Sequence, residues 1–434
     1  MNDVASYSRI FKIAVPIMLS NAMLSLIGLV DAGVIGRMGE VAPLAAVGLG
    51  GAFVGSFFWM FMFLAVTTTS DIGRAIAMGE EHKVTESLSR AVWLSGVISI
   101  GLIFVIPLLV WLLPHILGTS EDVTPLFRQY FMIRICAAPI AMLTHVATGY
   151  FIAREQTRIV LVYKSISQVI NLSLDVFFVM ALGWGVAGVA IATVIAEVVG
   201  LVLIAYFMRA ELLKLLAYIK DKARIRVPIT AYLKNSGYVF VRALCLQLTF
   251  LSFAYIGNGL GDEAVAINFV LLIFVFLVAQ ASDGFATATE VLTTRSIGHG
   301  SIFALRINAL KCTAVSLVIA SSFALIFVGF DQEVFGLVST NKDLRMLAPN
   351  FMIWVALGAV IGVLPWSMDG VFFGSNLGRE MAIAMLISFV SFIALVLILT
   401  PIFGNHGLWG ALVINFLIRG LGLVVFYPRV ERLI

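Results

Sequence analysis

Charge is what this chain has least of. Asp, Glu, Lys and Arg make up 12% of its 434 residues, against 61% hydrophobic, and the mean hydropathy is +1.06. A soluble domain carries about 25% charged and about 45–50% apolar residues. A chain with half that charge cannot cover a water-facing surface. That excludes a soluble enzyme, a nucleic-acid-binding protein and a disordered chain, and it leaves a polytopic membrane protein. Cysteine is scarce as well. Cys136, Cys245 and Cys312 all lie in apolar runs. An odd set in such places is neither a disulfide framework nor a metal motif.

Long apolar runs are abundant. A membrane helix needs about 20 predominantly apolar residues. Twelve such stretches lie near 9–35, 43–69, 88–113, 127–152, 159–181, 187–208, 234–257, 264–289, 303–329, 346–372, 380–401 and 407–427. They leave only short loops and no room for a large soluble domain. The first stretch is longer than the apolar region of a signal peptide, and no A-x-A-like site follows it. The first helix is therefore expected in the mature protein.

An even number of spans puts both termini on one side. Sorted by alternate loops, 21 Lys and Arg fall on the side of the termini, four on the other, and Arg134, Arg242 and Arg419 inside spans. Both termini are expected in the cytoplasm. The long basic loop between the sixth and seventh spans is expected there too.

The chain also repeats itself at a spacing of about 221 residues. Arg74, Ile76 and Gly79 match Arg295, Ile297 and Gly300. Gly149, Phe151 and Arg158 match Gly370, Phe372 and Arg379. Gly185, Gly188 and Gly200 match Gly407, Gly410 and Gly422. The expected architecture is an all-α polytopic membrane protein. Its twelve transmembrane helices form two six-helix lobes, 1–208 and 234–434, joined by a basic cytoplasmic linker, 209–233. Six is even, so both halves insert the same way up. They should be related by a pseudo-two-fold axis along the membrane normal, as in transporters built of parallel repeats.

The scarce intramembrane charges mark candidate sites, because an ionisable group at that depth usually faces a cavity or a partner. Asp31 lies late in the first helix. Asp175 lies deep in the fifth, with Asn171 one turn earlier on the same face. Two neighbouring carboxylates do not both stay ionised without a cation. One takes a proton, or both bind a metal ion with neutral oxygens from Asn171 and from Thr193 in the sixth helix. Under the repeat, Asp31 matches Ser252, Asp175 matches Val396 or Leu397, and Thr193 matches Asn415. The scaffold is duplicated and the acidic cluster is not. Pro16 interrupts the first helix 15 residues before Asp31. Proline removes a ladder hydrogen bond and kinks a helix. That kink reads equally as packing or as a coupling element.

Other charges read as structural. Asp71, Glu290 and Asp369 are expected to pair at the inner face with Arg74, Arg295 and Arg379. Glu197 and Arg419 occupy equivalent repeat positions, which leaves pairing between lobes open. His145 reads as a helix-packing histidine. Asp283 lies deeper and takes no assignment.

The order Pro16, Val30-Asp31, Gly36-Arg37-Met38-Gly39, then Asn171-x-x-x-Asp175 and Thr193 resembles the multidrug and toxic compound extrusion (MATE) family, in its DinF-like branch. Met368-Asp369-Gly370-Val371-Phe372-Phe373-Gly374 is similar to that branch's tenth helix. The resemblance implies a cation-coupling site of Asp31, Asn171, Asp175 and Thr193, with Pro16 as a conformational kink. It also implies secondary active export of organic, cationic amphipathic compounds by antiport with protons or sodium. Those four residues would be metal ligands only under sodium coupling. No cofactor, catalytic residue, enzymatic activity or nucleic-acid partner is expected. The expected partners are small drug-like molecules and membrane lipids, for a monomer in the inner membrane. Helix seven, Val239 to Gln247, contains Arg242 but no acid. A second cation site in the carboxy-terminal lobe is therefore not expected.

A flippase for lipid-linked oligosaccharides is the alternative, since related transporters share the architecture. Its pyrophosphate substrates call for several cavity arginines, and only Arg134, Arg242 and Arg419 qualify. Gly259-Leu260-Gly261-Asp262 matches the G-x-G-D string of intramembrane aspartyl proteases, yet the chain contains no Tyr-Asp dipeptide.

Overall fold

The structure is a computed structural model. It describes residues 4–36, 41–117, 120–220, 229–336, 338 and 342–434, and within those the side chains of 24–36 and some shorter stretches lie outside the description. Among the described residues every regular element is helical. In chain order these are α1 (Tyr7–Gly36), α2 (Val41–Met60), α3 (Phe63–Ala77), α4 (Glu81–Leu117), α5 (Val123–Ile135), α6 (Ala138–Ala153), α7 (Thr157–Val176) with a π-helical turn at Phe177–Ala181, α8 (Gly185–Phe207) and α9 (Arg209–Lys220). There follow α10 (Ile229–Asn258), α11 (Asp262–Gly298), α12 (Ile302–Gly329), α13 (Asp331–Gly336), α14 (Lys342–Ser375), α15 (Gly378–Phe403) and α16 (Asn405–Glu431).

Nine helical segments among the described residues are long and apolar enough to cross a membrane, and ten when α5 and α6 count as one span bent by 48°. With α1 and α4, helices of 30 and 37 residues, they make twelve rods. The α5–α6 bend has a local cause. The ladder breaks at Cys136–Ala137, and Pro139 in the first turn of α6 brings no backbone N–H. Cys245 and Cys312 are buried as expected, whereas Cys136, at this break, is exposed.

The repeat is legible in the backbone. Residues of positive φ recur 221 apart: Gly79 with Gly300, Glu155 with Asn376, and Gly183 with Gly404. Packing recurs as well. A Cβ on Gly149 would stand 2.3 Å from the Ala65 carbonyl oxygen and 2.9 Å from the Thr68 Cβ. A Cβ on Gly370 would stand at the same two distances from Ala286 and Thr289. Each glycine lets two rods touch backbone to side chain, α3 on α6 in one half and α11 on α14 in the other.

The chain divides into two compact units, Leu19–Ile229 and Met1–Met18 with Thr230–Ile434. This division differs from the sequence boundary at the first eighteen residues. In the carboxy-terminal unit, the Ala5 N–H donates to Asn308 Oδ1 at 2.8 Å, and Lys311 Nζ donates to the Ala5 carbonyl at 2.9 Å. Phe11 meets Phe285 edge-on. Gly284 on α11 gives the closest approach, since a Cβ there would stand 2.5 Å from the Ala14 carbonyl oxygen. Helix α1 thus belongs to one unit through Met18 and to the other from Leu19 onward. The core of the carboxy-terminal unit is built on α11, α14 and α16, around Leu271, Phe274, Val355, Trp409 and Phe416.

Candidate functional site

In the amino-terminal unit, α7 and α8 pack along their length. Asn171 and Asp175 stand one turn apart on α7, and both are buried. The Asn171 Nδ2 donates to Thr193 Oγ1 at 3.3 Å, and that hydroxyl donates to the Val189 carbonyl at 2.9 Å. Three of the four expected ion-site residues are thereby brought into one locus. Asp175 is also the next-to-last α-helical residue before the π-helical turn at Phe177–Ala181. Such turns occur mostly as single bulges in α-helices and often at functional sites. Nothing in the spacing of residues announces this one.

The side chain of Asp31 lies outside the described residues, though its backbone is helical. The register of α1 still gives its level. Ser165 on α7 donates to the Met23 sulfur at 3.1 Å. With short connections, the first and fifth rods run the same way. Eight residues past Met23 is Asp31, and ten past Ser165 is Asp175, so both lie about 12–15 Å along from that contact. Pro16 is buried inside α1.

The neighbouring charges settle differently from the sequence expectation. Asp369 on α14 pairs with Arg242 of α10 and Arg419 of α16, and both guanidiniums reach its Oδ2. It does not pair with Arg379, which is exposed. All three members of this cluster are buried. Arg242 also lies over the Phe373 ring, 5.2 Å from its centroid. Glu197 does not reach across to Arg419. It accepts from Arg134 of its own unit at 2.9 Å. Each of the three intramembrane arginines therefore holds a carboxylate, which weakens the flippase alternative. The His145 Nε2 lies 3.2 Å from the Phe58 carbonyl, as suits a packing histidine. Sequence reasoning singled out the three arginines but missed their partners, which stand 50 to 127 residues away. A buried guanidinium demands a carboxylate at its own depth. Matching depths, rather than sequence neighbours, was the signal available.

Among the described residues no three His, Cys, Asp or Glu side chains gather to hold a metal ion. Asn171, Asp175 and Thr193 together offer oxygen donors of the kind hard cations take. Apolar helical rods carrying a few buried polar groups are the pattern of a polytopic membrane protein. The family follows directly. A sequence model of the MatE family matches residues 16–177 and 239–402, once in each half, and the chain belongs to that family of transporters.

Among its relatives, the DNA damage-inducible protein F of Escherichia coli strain K12 is 30% identical, over 98% of this chain and 93% of that protein. A probable multidrug resistance protein NorM of Photorhabdus laumondii is 23% identical, over 96% and 94%. The fold superposes on a multidrug resistance MATE family transporter in its outward-facing conformation with a TM-score of 0.88. Identity there is 19%, over 98% of this chain and 96% of that one. A MOP superfamily transporter from Pyrococcus furiosus superposes with a TM-score of 0.86 at 19% identity, over the same shares.

Proposed function

We propose that this protein exports small organic molecules, cationic and amphipathic in character, by antiport with protons or sodium ions. One observation carries the reading. A buried carboxylate, Asp175, shares a helix face with an amide that bonds across to Thr193, in a chain of the MatE family. Asp31, level with Asp175 by register, is the second carboxylate of the site. A cation bound there neutralises the pair. Its neutral oxygens then complete the coordination of sodium or accept hydrogen bonds from the protonated acid.

Neutralisation removes the attraction that holds a cationic substrate and favours its exit outward. Pro16 supplies a flexible point in α1, where the hydrogen bond to the Lys12 carbonyl is missing. The protein acts as a monomer in the inner membrane with both termini cytoplasmic, and it needs no cofactor beyond its coupling ion.

The test is efflux of a cationic dye from vesicles with proton and sodium gradients imposed separately. One gradient should drive export, and Asp31→Asn and Asp175→Asn should each abolish it. Export without either gradient sinks the antiport. Transport untouched by both substitutions sinks the site.

A further inference from the structure

The carboxy-terminal unit carries a further polar cluster, at the end of its rods opposite the carboxy terminus. Three marks fix its level. Gly404, with positive φ, is the turn between α15 and α16. A turn of that kind lies at the membrane surface rather than in hydrocarbon. The apolar spans of α11 and α14 begin at Glu263 and Pro349. Asn268, Phe351 and Trp354 therefore stand in the first two turns of those spans, beside Asn405 and His406 at the start of α16.

Two ties meet there. Asn405 and Asn268 exchange amide hydrogen bonds at 2.8 and 2.9 Å, and the Trp409 Nε1 donates to the same Asn268 oxygen at 2.7 Å. The second tie runs from α14. The Trp354 Nε1 donates to His406 Nδ1 at 3.0 Å. The His406 ring also stacks on Phe351, with 4.4 Å between centroids and 14° between planes. His406 is exposed. The sequence of the other half lacks this pair of residues. Gly183 and Gly185 enclose only Trp184, where Gly404 and Gly407 enclose Asn405 and His406.

The ties differ in chemistry. An indole nitrogen only donates. His406 therefore accepts from it only while Nδ1 carries no proton. A proton there sets two donors against each other and breaks the bond, while the cationic ring stays attracted to the face of Phe351. Amides do not titrate, so Asn268 keeps hold of Asn405 in either state. Histidine is the side chain that ordinarily changes charge between about pH 5 and 8. The charged groups described at this end are Glu263 of α11, Asp331 and Glu333 of α13 and Arg345 of α14, and the side chains of Asp262, Lys342 and Asp343 lie outside the description. Helices α15 and α16 carry none here. Among the described residues none of these groups bonds to His406. Asp331 accepts from the Gln332 N–H, and Arg345 donates to the Gln332 carbonyl.

We infer that Trp354 and His406 form a pH-sensitive tie in the carboxy-terminal unit. It is closed while His406 is neutral and joins α14 to the first turn of α16. Protonation opens it, and the turn stays held to α11 by its amides. On the reading that both termini are cytoplasmic, the acid that opens it is outside the cell. That orientation rests on the proposed function, and the tie itself does not.

The experiment is nuclear magnetic resonance of the protein in lipid nanodiscs, with its tryptophans labelled with nitrogen-15. The indole signal of Trp354 is the one lost in Trp354→Phe. In the wild type it should move upfield with a single midpoint as the pH falls from about 8 to about 5. His406→Gln offers an acceptor that does not titrate and should hold the signal downfield throughout. His406→Phe offers none and should hold it upfield throughout. Asp175→Asn should leave the wild-type movement unchanged, so a failure of the export reading does not touch the tie. A wild-type signal that stays still over this range overturns the inference. So does the same movement in His406→Gln, or a His406→Phe signal that stays downfield. Loss of the movement in Asp175→Asn would trace it to the ion site and overturn the inference as well.

Discussion

In the amino-terminal unit, Asp175 shares a helix face with Asn171, whose amide donates to the Thr193 hydroxyl. In the carboxy-terminal unit, Asp369 accepts from Arg242 and Arg419. The two halves repeat one backbone at a spacing of 221, down to matching residues of positive φ. They hold their carboxylates in opposite ways. A guanidinium is tethered, always charged, and cannot leave. A carboxylate saturated by two of them has no counter-ion to exchange. An amide and a hydroxyl bring no charge, so Asn171 and Thr193 do not themselves neutralise Asp175. Equivalent positions even carry opposite signs: Glu197 on α8 answers to Arg419 on α16, and each is paired within its own unit. The two halves thus share a scaffold and differ in the side chains around their buried carboxylates.

Substitution of the two aspartates is the strongest way to break this comparison. Asp369→Asn leaves two buried guanidiniums short of a counter-charge and should cost about 3–5 kcal/mol. The fall should appear as a lower unfolding temperature in detergent. Asp175→Asn should leave that temperature within a few degrees while removing gradient-driven transport. Equal destabilisation by both would mean that the two carboxylates do the same job.

The glycine contacts test whether the halves pack alike. Gly149→Ala and Gly370→Ala each push a methyl to 2.3 Å from a carbonyl oxygen. Each should cost about 1–3 kcal/mol, the usual range for overpacking. Unfolding midpoints of the two variants should agree closely, and a wide split would show that the interfaces have diverged.

A smaller effect separates the halves again. Thr193→Val keeps the shape and removes one hydrogen-bonding hydroxyl, worth about 1 kcal/mol. The coupling-ion concentration for half-maximal transport should rise about fivefold. At the equivalent position in the other half, Asn415 donates to the Ser388 carbonyl at 2.8 Å. Asn415→Leu should lower stability and leave the ion dependence unchanged. Least affected should be Arg306→Ala. Arg306 makes a two-bonded pair with Glu431, but the pair is solvent-exposed. Exposed pairs contribute little to stability. Transport and unfolding temperature should match the wild type, and a clear loss would show that this end of α12 does more than present charge to water.

Much of this was visible in the residue string. Twelve apolar runs predict twelve rods, and the repeat of Gly149 and Gly370 predicts the contacts that these glycines make. The four-residue step from Asn171 to Asp175 predicts a shared face, and in the structure the Asn171 amide donates to Thr193. Other expectations failed for a common reason. Asp369 was matched with Arg379 because the two are ten residues apart, yet Arg242 and Arg419, over a hundred and fifty residues apart, are the side chains that reach it. Residues 1–18 were counted with the first half because they precede it. In space, the contacts of Ala5, Phe11 and Ala14 bind them to α11 and α12.

By itself, the sequence determined the class of protein, the number of rods and their duplication. Those properties depend on composition and on distance along a helix axis, which is linear in residue number. The tertiary structure alone decided which charges neutralise one another, where α1 passes from one unit to the other, and that Trp354 bonds to His406. These depend on the rotation and neighbours of each rod. Rods packed in a membrane choose neighbours by close contact of small side chains and by burial of polar groups. That choice is made between residues far apart in the chain. It turned a short supply of charge into two different arrangements on one repeated scaffold.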